Sequence, residues 1–169
     1  MVKYGITSWT WVYPFDASII PRVKEIGFDG LEIPIEDPSI MNAKEVREQL
    51  ESYQLECSSI CAVMSKDRDP TSSDKAIRDN AVKYLKFCID FASEVGCDIV
   101  AGPIYAAVGK VLFDDKKAAW NTSVSLVREV ARYALDRGIY LGVEPLNRYE
   151  TSMINLVSDA LRYVEDVGV

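Results

Sequence analysis

The stretch Gly138-Ile-Tyr-Leu-Gly-Val-Glu144-Pro145-Leu-Asn147-Arg148-Tyr-Glu150 decides the predicted fold of this chain. A helical pattern ends at Gly138, and the apolar run that follows it is typical of a buried parallel strand. The strand ends at Glu144, because Pro145 has no N–H to donate to a neighbouring strand. In α/β proteins the carboxyl ends of such strands carry the chemistry, so the sequence predicts a functional site here.

Two interpretations of Glu144 are open at this point. As a functional group, a carboxylate at a strand end binds a hard divalent cation or moves a proton. As a structural group, it forms an ion pair with Arg148 that fixes the loop, since structural ion pairs also gather charge. The spacing of the residues does not choose between the two.

Strand and helix patterns alternate outward from this stretch along the whole chain. The predicted strands are 3–8, 28–33, 55–63, 97–101 and 139–143, and the predicted helices are 15–26, 42–53, 73–95, 114–137 and 151–167. Ser73 or Asp74 caps the third helix, and Asp114 or Asp115 opens the fourth. Alternation without a hairpin signal predicts the α/β class, with parallel strands joined by outer helices. No linker divides residues 1–169, so we expect a single domain of five βα units.

Composition excludes several classes of function. The chain has 169 residues, of which 49% are hydrophobic and 27% charged, enough for one sizeable core. Its net charge of −7 and pI of about 4.7 argue against nucleic acid and anionic membranes as partners. The sequence shows neither an apolar run that could span a bilayer nor a secretory signal, so we expect a cytoplasmic protein.

Cysteine and histidine usage narrows the chemistry further. The four cysteines, Cys57, Cys61, Cys88 and Cys97, form no Cys-x-x-Cys pair. Cys57 and Cys61 share a predicted strand and lie about 13 Å apart at ~3.3 Å per residue, too far for a disulfide. We expect four buried thiols in a reducing compartment. With no histidine, the chain has no Ser-His-Asp triad, histidine zinc site or histidine general base.

Other residues are candidates for binding, each with a structural alternative. Glu150 either contacts a hydroxylated ligand or favours the dipole of the following helix. Glu32 either faces a ligand or holds a loop through backbone amides. Trp11, with Trp9 and Tyr13, either packs against a sugar ring or belongs to the core. Gly102 lets a ligand approach the backbone at a strand end.

Two further stretches carry weaker signals. The loop Lys66-Asp-Arg-Asp69 is predicted to be solvated, because it holds four charged residues in a row. No Gly-x-Gly-x-x-Gly or Gly-Lys-Ser/Thr motif occurs, so the sequence offers no phosphate loop.

Two motifs resemble the ketose 3-epimerases of the D-tagatose/D-psicose type, which belong to the xylose-isomerase-like sugar isomerases and epimerases. They are Gly27-Phe-Asp-Gly-Leu-Glu32 and Val143-Glu-Pro-Leu-Asn-Arg-Tyr-Glu150. The run Ser73-Asp-Lys-Ala-Ile-Arg-Asp79 and the strand end Ala101-Gly102 are similar to that family too. The resemblance covers essentially the whole chain, as the N-terminal part of such an enzyme.

The resemblance implies a (β/α)8 TIM barrel that epimerises a free ketose at C3. It implies one divalent metal, Mn²⁺ first with Mg²⁺ or Co²⁺ as alternatives, held by Glu, Asp, His and Glu at four late strand ends. Glu144 matches the first of these ligands and one of two acid/base groups. Glu150 matches a residue at the substrate end, Trp11 an aromatic wall of the sugar pocket, and Gly102 a small residue beside it. Glu32 joins them as a substrate-binding candidate.

The chain departs from that pattern in length. A barrel of this kind needs about 250 residues, whereas the pattern here stops after five units, with one of four metal ligands and one of two acid/base groups. We therefore expect a barrel that this chain alone does not close, whose open edges invite pairing and make a homo-oligomer. Either an N-terminal part of a longer enzyme or a truncated relative fits the sequence.

Other functions remain open beside the epimerase. Hydroxypyruvate isomerase and inosose dehydratase are rivals within the same superfamily, and a non-catalytic half-barrel fragment that folds by association is an alternative of another class. The DNA-repair endonucleases of the superfamily are disfavoured by the charge of −7 and the lack of histidine ligands.

Overall fold

A computed structural model describes residues 2–169. Its strands are β1 Gly5–Thr7, β2 Gly30–Ile35, β3 Glu56–Ala62, β4 Ile99–Gly102 and β5 Tyr140–Val143. Its α-helices are α1 Ile20–Ile26, α2 Ala43–Ser52, α3 Lys75–Val95, α4 Lys116–Leu135 and α5 Val157–Val167. The alternation confirms the predicted five-unit portion of a TIM barrel. None of the helices formed by residues 2–169 has both the length and the apolar character needed to cross a bilayer.

All five strands run parallel in one sheet, in the order β1-β2-β3-β4-β5, which is also chain order. Val100 on β4 pairs with Ile60 on β3 and with Leu141 on β5. Each helical crossover returns the chain to the same end of the sheet, so every new strand is added beside the last. The carboxyl ends of all the strands therefore lie along one edge.

The core lies between the sheet and its helices. On β2, Leu31, Ile33 and Ile35 are fully buried, because alternate side chains of a strand share one face. From α3, which packs against β3 and β4, Leu85 and Ile89 are fully buried as well. Apolar burial of this kind stabilises by roughly 25 cal/mol per Å², so the α3 layer is a main source of folding free energy.

Tyr84 joins α3 to the carboxyl ends of β2 and β3. Its hydroxyl accepts a hydrogen bond from the Val63 N–H (2.6 Å) and donates one to the Ile35 carbonyl (2.7 Å). The guanidinium of Arg68 stacks on the Tyr84 ring, 3.8 Å from its centroid, and donates to the carbonyls of Val63 and Glu36 (2.9 Å each). These bonds hold the loop after β3 against the strand ends.

The helix ends follow the predicted capping chemistry. The Asn42 side chain accepts from the Glu45 N–H and caps α2, at the start of the helix predicted over 42–53. The sequence leaves two candidates for the start of each of the next two helices. Asp74 caps α3 and Asp115 caps α4, each through its carboxylate. Gly96 ends α3 in the left-handed conformation, with φ at 80°.

Two predicted helices begin too early. The helix predicted at 151–167 begins only at Val157, because Thr151 forms a parallel bridge with Lys110 and the Ile154 carbonyl accepts from the Leu146 N–H (3.1 Å). Backbone groups used in this way are not available to a helix. The helix predicted at 15–26 is a 3₁₀ turn over Ala17–Ile19 followed by α1.

The prediction of four buried thiols is wrong for one of them. All four cysteines are free, and Cys61, Cys88 and Cys97 are buried. Cys57, near the start of β3, is partly exposed. The strand begins at the amino end of the sheet, where fewer side chains cover it than in the middle.

β1 and β5 are the edges of the sheet formed by residues 2–169. An apolar groove of about 210 Å³ runs beside β5. Within it the side chains of Leu135 and Tyr140 are 67% and 72% exposed. The groove is lined by Ile104, Val127, Ala131, Leu135, Ile139, Tyr140, Leu141, Val143, Val164, Val167 and Val169. The exposed edge agrees with the expectation that this chain alone does not close a barrel.

We expect Gly102→Ala to destabilise the protein by several kcal/mol. Gly102 has φ at +130°, and a Cβ there would lie 2.5 Å from the Ala62 carbonyl oxygen, which belongs to the backbone of β3. Backbone strain of 1–3 kcal/mol then adds to overpacking of similar size. Urea unfolding measures the change.

Gly109→Ala is the matched control. Gly109 also has a positive φ, +86°, but a Cβ there meets nothing within 4 Å. Its substitution should cost only the conformational strain, about 1 kcal/mol. Equal losses for the two variants would show that the close approach of β3 at Gly102 is unimportant.

Candidate active site

Glu144 lies directly after β5, at the carboxyl edge of the sheet, and its backbone is held on two sides. Its N–H donates to the Gly102 carbonyl at the end of β4 (3.1 Å). Its carbonyl accepts from the hydroxyl of the buried Tyr105 (3.1 Å), which lies 3.3 Å from the Ile154 carbonyl as well. The Glu144 side chain therefore starts from a fixed position.

The carboxylate of Glu144 is exposed and, within residues 2–169, takes part in no hydrogen bond or ion pair. The structural alternative, an ion pair with Arg148, is not formed in the described part of the chain. The loop is ordered by Asn147 instead, whose side-chain carbonyl accepts from the Tyr149 N–H (2.9 Å). A carboxylate that no structural partner engages is available for chemistry.

Acidic side chains surround this carboxylate. The pKa of Glu144 is raised by its partial burial first, and then by repulsion from Glu32 on β2 and from Glu150 in its own loop. Burial and the charges of Glu32, Glu144 and Glu36 raise the pKa of the Cys61 thiol to about 12. The sheet thus brings carboxylates from β2 and from the loop after β5 into one electrostatic environment.

Glu150 lies in the loop beyond β5, where a turn holds it. The side-chain amide of Asn147 donates to its carboxylate, and its carbonyl accepts from the Gly109 N–H (2.7 Å). The alternative that Glu150 favours the dipole of the following helix does not hold, because α5 starts only at Val157. Its predicted contact with a substrate stays a prediction.

Glu32 is partly buried within β2 and accepts a hydrogen bond from the Ser59 hydroxyl on β3 (2.8 Å). The alternative that it holds a loop through backbone amides does not describe this contact, since its partner is a side chain of the neighbouring strand. The contact keeps the Glu32 carboxylate on the face of the sheet opposite the buried Leu31 and Ile33.

The aromatic residues after β1 separate into two groups. Trp11 packs against Phe28, with ring centroids 6.5 Å apart, and under Arg22 of α1. Trp9 lies near Tyr13, and its indole N–H donates to the Glu36 carboxylate just beyond β2. Trp11 also lines a cavity of about 680 Å³ between the loop after β1 and the start of α2. Its role as a wall of the sugar pocket stays a prediction.

Asp69 forms a buried ion pair that the sequence does not predict, because its loop is expected to be solvated. Asp69 is only 5% exposed, and Lys110 donates to its carboxylate (2.7 Å), as do the Thr71 hydroxyl (2.7 Å) and the Ala107 N–H (3.2 Å). Burial alone would raise its pKa, but these bonds lower it below the usual value. The pair fixes the loops after β3 and β4 together.

Tyr105 was missed as well. The sequence marks Gly102 at this strand end, yet the hydroxyl of Tyr105, three residues later, is what positions the Glu144 peptide. The Ser123 hydroxyl donates to the Tyr105 carbonyl (2.6 Å) and lies 2.6 Å from the Tyr163 hydroxyl. No sequence signal marks a contact between residues so far apart.

Among the residues that the structure describes, side chains that could hold a metal ion lie near Glu144 in too small a number. Carboxylate oxygens such as those of Glu144 suit a hard divalent cation. Across residues 2–169, however, no group of three or more His, Cys, Asp or Glu side chains is arranged to hold one. The chemistry of the donors fits a metal, but their number does not, so these residues supply at most part of a metal site.

The sequence profile of the family described as xylose isomerase-like TIM barrel matches residues 20–168. The ketose 3-epimerase of Arthrobacter globiformis is 30% identical over 99% of this chain and 59% of its own length. The L-ribulose 3-epimerase of Mesorhizobium japonicum is 27% identical over 99% of this chain and 58% of its own length. The resemblance to ketose 3-epimerases is thus confirmed, and the chain spans about 59% of the length of such relatives.

Solved structures agree with this result. The crystal structure of D-allulose 3-epimerase from Methylomonas sp. in complex with D-allulose superposes with a TM-score of 0.91 at 28% identity. The superposition covers 98% of this chain and 59% of the D-allulose 3-epimerase chain. D-psicose 3-epimerase from Clostridium cellulolyticum, with D-tagatose, gives 0.90 at 26% identity, over 99% and 60% of the two chains. The five βα units therefore have the arrangement found in these barrels.

We expect Glu144→Gln to become more stable relative to the wild type as pH rises. A raised carboxyl pKa in the folded state means that ionisation is penalised by folding, so the penalty is absent below the unfolded pKa and develops as pH passes the folded value. Glutamine never ionises. The difference should stay below about 1 kcal/mol, because the side chain is exposed and screened.

Urea unfolding of both proteins at pH 4 and pH 7 measures this effect, and the low-pH pair is the internal control. Added salt should reduce the pH-dependent difference, since part of it is repulsion from Glu32 and Glu150. A variant that loses stability relative to the wild type between pH 4 and 7 would contradict the repulsive environment.

Proposed function

Because this chain belongs to the xylose isomerase-like TIM barrel family, we propose that it supplies the N-terminal part of the active site of a sugar epimerase. The proposed reaction is reversible epimerisation of a free ketose at C3, with Glu144 as one of two proton-transfer groups. The supporting observation is the state of Glu144. Its backbone is held by Tyr105, its carboxylate has no structural partner within residues 2–169, and its carboxyl pKa is raised.

The geometry suits removal of a proton beside a carbonyl group. The hydrogen on C3 of a 2-ketose is acidic because C3 is adjacent to the C2 carbonyl. A carboxylate that removes it leaves an enediolate, and return of a proton to the opposite face inverts C3. A raised pKa makes Glu144 a stronger base once it is ionised, nearer to the value that proton transfer at neutral pH requires.

Each other candidate has a proposed place around the sugar. Glu150 and Glu32, whose charges act on Glu144, would accept hydrogen bonds from substrate hydroxyls. Gly102, whose carbonyl accepts from the Glu144 N–H, would leave space beside the pocket. Trp11 would offer an apolar ring face.

A divalent cation, Mn²⁺ first with Mg²⁺ or Co²⁺ as alternatives, is proposed to bind at Glu144. It would act as a Lewis acid toward the ketose oxygens. Residues 2–169 contain no complete ligand set, so the other ligands and the second acid/base group would come from outside them.

Two rivals within the superfamily share the same fold. Hydroxypyruvate isomerase and inosose dehydratase also belong to the expected range of activities. The relatives of highest similarity named above are 3-epimerases, which favours epimerisation. A panel of ketohexoses, ketopentoses, hydroxypyruvate and inososes, each with Mn²⁺, separates the three activities.

In the full-length polypeptide that contains these residues, Glu144→Gln should lower kcat/KM for the ketose by at least 10²–10⁴-fold, as loss of a general base does. Glu165→Gln, exposed on α5, is the control and should keep full activity. Activity is measured by chromatography of the ketose pair with excess Mn²⁺. If no ketose is epimerised, or if Glu144→Gln is fully active, the proposal is wrong.

A separate measurement, calorimetry, tests the binding of the metal. Isothermal titration of Mn²⁺ into this 169-residue chain should show no tight stoichiometric binding, with or without Glu144→Gln, because the ligand set is incomplete. Tight binding by the wild-type chain would contradict that statement while leaving the epimerase activity to the assay.

We also propose that residues 1–169 fold as one domain that associates through its open edges into a homo-oligomer. The apolar groove beside β5, where Tyr140 is 72% exposed, supports this, since monomers rarely expose an unpaired strand with apolar side chains. Light scattering after size-exclusion chromatography should give a mass above the 18.9 kDa of one chain. A monodisperse, folded monomer contradicts the association.

A further inference from the structure

Two cysteines face each other at the amino end of the sheet, far from Glu144 in the strand direction. Ile60 pairs with Val100 and Cys61 with Ala101, so the register of β3 and β4 relates residues that are 40 apart in sequence. Cys57 and Cys97 are also 40 residues apart, one at the amino end of β3 and the other two residues before β4. The thiol of each of these two residues shifts the pKa of the other, as expected for neighbouring sulfurs.

Their surroundings are alike, as expected for matched positions on parallel neighbours. The Cys57 thiol lies 3.7 Å from the Ser59 carbonyl and the Cys97 thiol 3.3 Å from the Ile99 carbonyl, in each case two residues ahead. Both side chains therefore lean along their strands in the same direction. Neighbouring strands are about 4.8 Å apart, within the Cα separation of ~4.4–6.8 Å that a disulfide requires.

Exposure differs between the two sulfurs. Cys57 is partly exposed, while Cys97 is buried behind it, with 4% exposure. Cys61 and Cys88 are buried. Cys61 pairs with Ala101 and Pro34 across the sheet, and Cys88 lies on α3. A small reagent from solvent can thus reach one thiol of the pair, and the second thiol is in place to react with the product.

We propose that Cys57 and Cys97 form a redox-modification site that reacts with low-molecular-weight disulfides and closes into a disulfide between β3 and β4. Cys57 attacks one sulfur of the small disulfide and expels one thiol. Cys97 then attacks the Cys57 sulfur and expels the second thiol. Two protein thiols are oxidised, one small disulfide is reduced, and both S–H protons end on the released thiols.

The state of the reduced pair is consistent with this chemistry. The Cys57 thiol lowers the pKa of Cys97, while the Cys97 thiol raises that of Cys57. The lowered pKa favours the thiolate of Cys97, which is the attacking group in the second step, where the disulfide closes. The new bond would enclose the whole of α3 in a covalent loop, which restricts the unfolded chain and stabilises the fold.

The test incubates the purified chain with glutathione disulfide and glutathione at a series of ratios, followed by acid quench and alkylation. We expect two of the four thiols to be lost together and peptide mapping to find Cys57 joined to Cys97. The oxidised protein should unfold about 10 °C higher than the reduced one.

Variants separate this site from general thiol oxidation. Cys57→Ser and Cys97→Ser should each abolish the linked peptide, while Cys61→Ala should retain it. The mapping of the wild-type chain decides the matter even where a variant fails to fold. Four free thiols at every ratio, glutathione adducts without the Cys57–Cys97 link, or links only between chains would each overturn the proposal.

Discussion

Burial of α3 against β3 and β4 is the interaction on which the rest of the structure depends. The helix lies over the middle of the sheet and buries one face, including Leu85, Cys88 and Ile89. Tyr84 on the same face also hydrogen-bonds the backbone at the ends of β2 and β3. One helix thus provides both apolar burial and the polar contacts that fix where the strands end.

The candidate site is a consequence of those strand ends. Gly102 comes so close to Ala62 that only glycine fits, and its carbonyl receives the Glu144 N–H. Tyr105 holds the other side of the Glu144 peptide. With the backbone fixed by these neighbours, the carboxylate is left without a structural partner in the described residues and feels the charges of Glu32 and Glu150. The position of Glu144 is therefore set by packing two strands away.

Local signals in the sequence predicted most of the fold. Apolar runs marked the strands, and Asn42, Asp74 and Gly96 marked helix ends, because capping involves residues only a few positions apart. Prediction failed where the decisive partner is distant. Residues 151–154 belong to a predicted helix, but Thr151 pairs with Lys110 and Ile154 accepts from Leu146. Asp69 has the charge of a surface residue but is buried beside Lys110.

The sequence by itself determined the five βα units, the parallel sheet and the position of Glu144 at a strand end, since periodicity and short motifs encode these locally. Only the tertiary structure decided which side chains share a space. It brought Glu32 near Glu144 and made Asn147, rather than Arg148, the residue that orders the loop after β5. It also brought Cys57 near Cys97. The physical reason is that strand register and sheet curvature join residues from separate units, and no local pattern specifies that pairing.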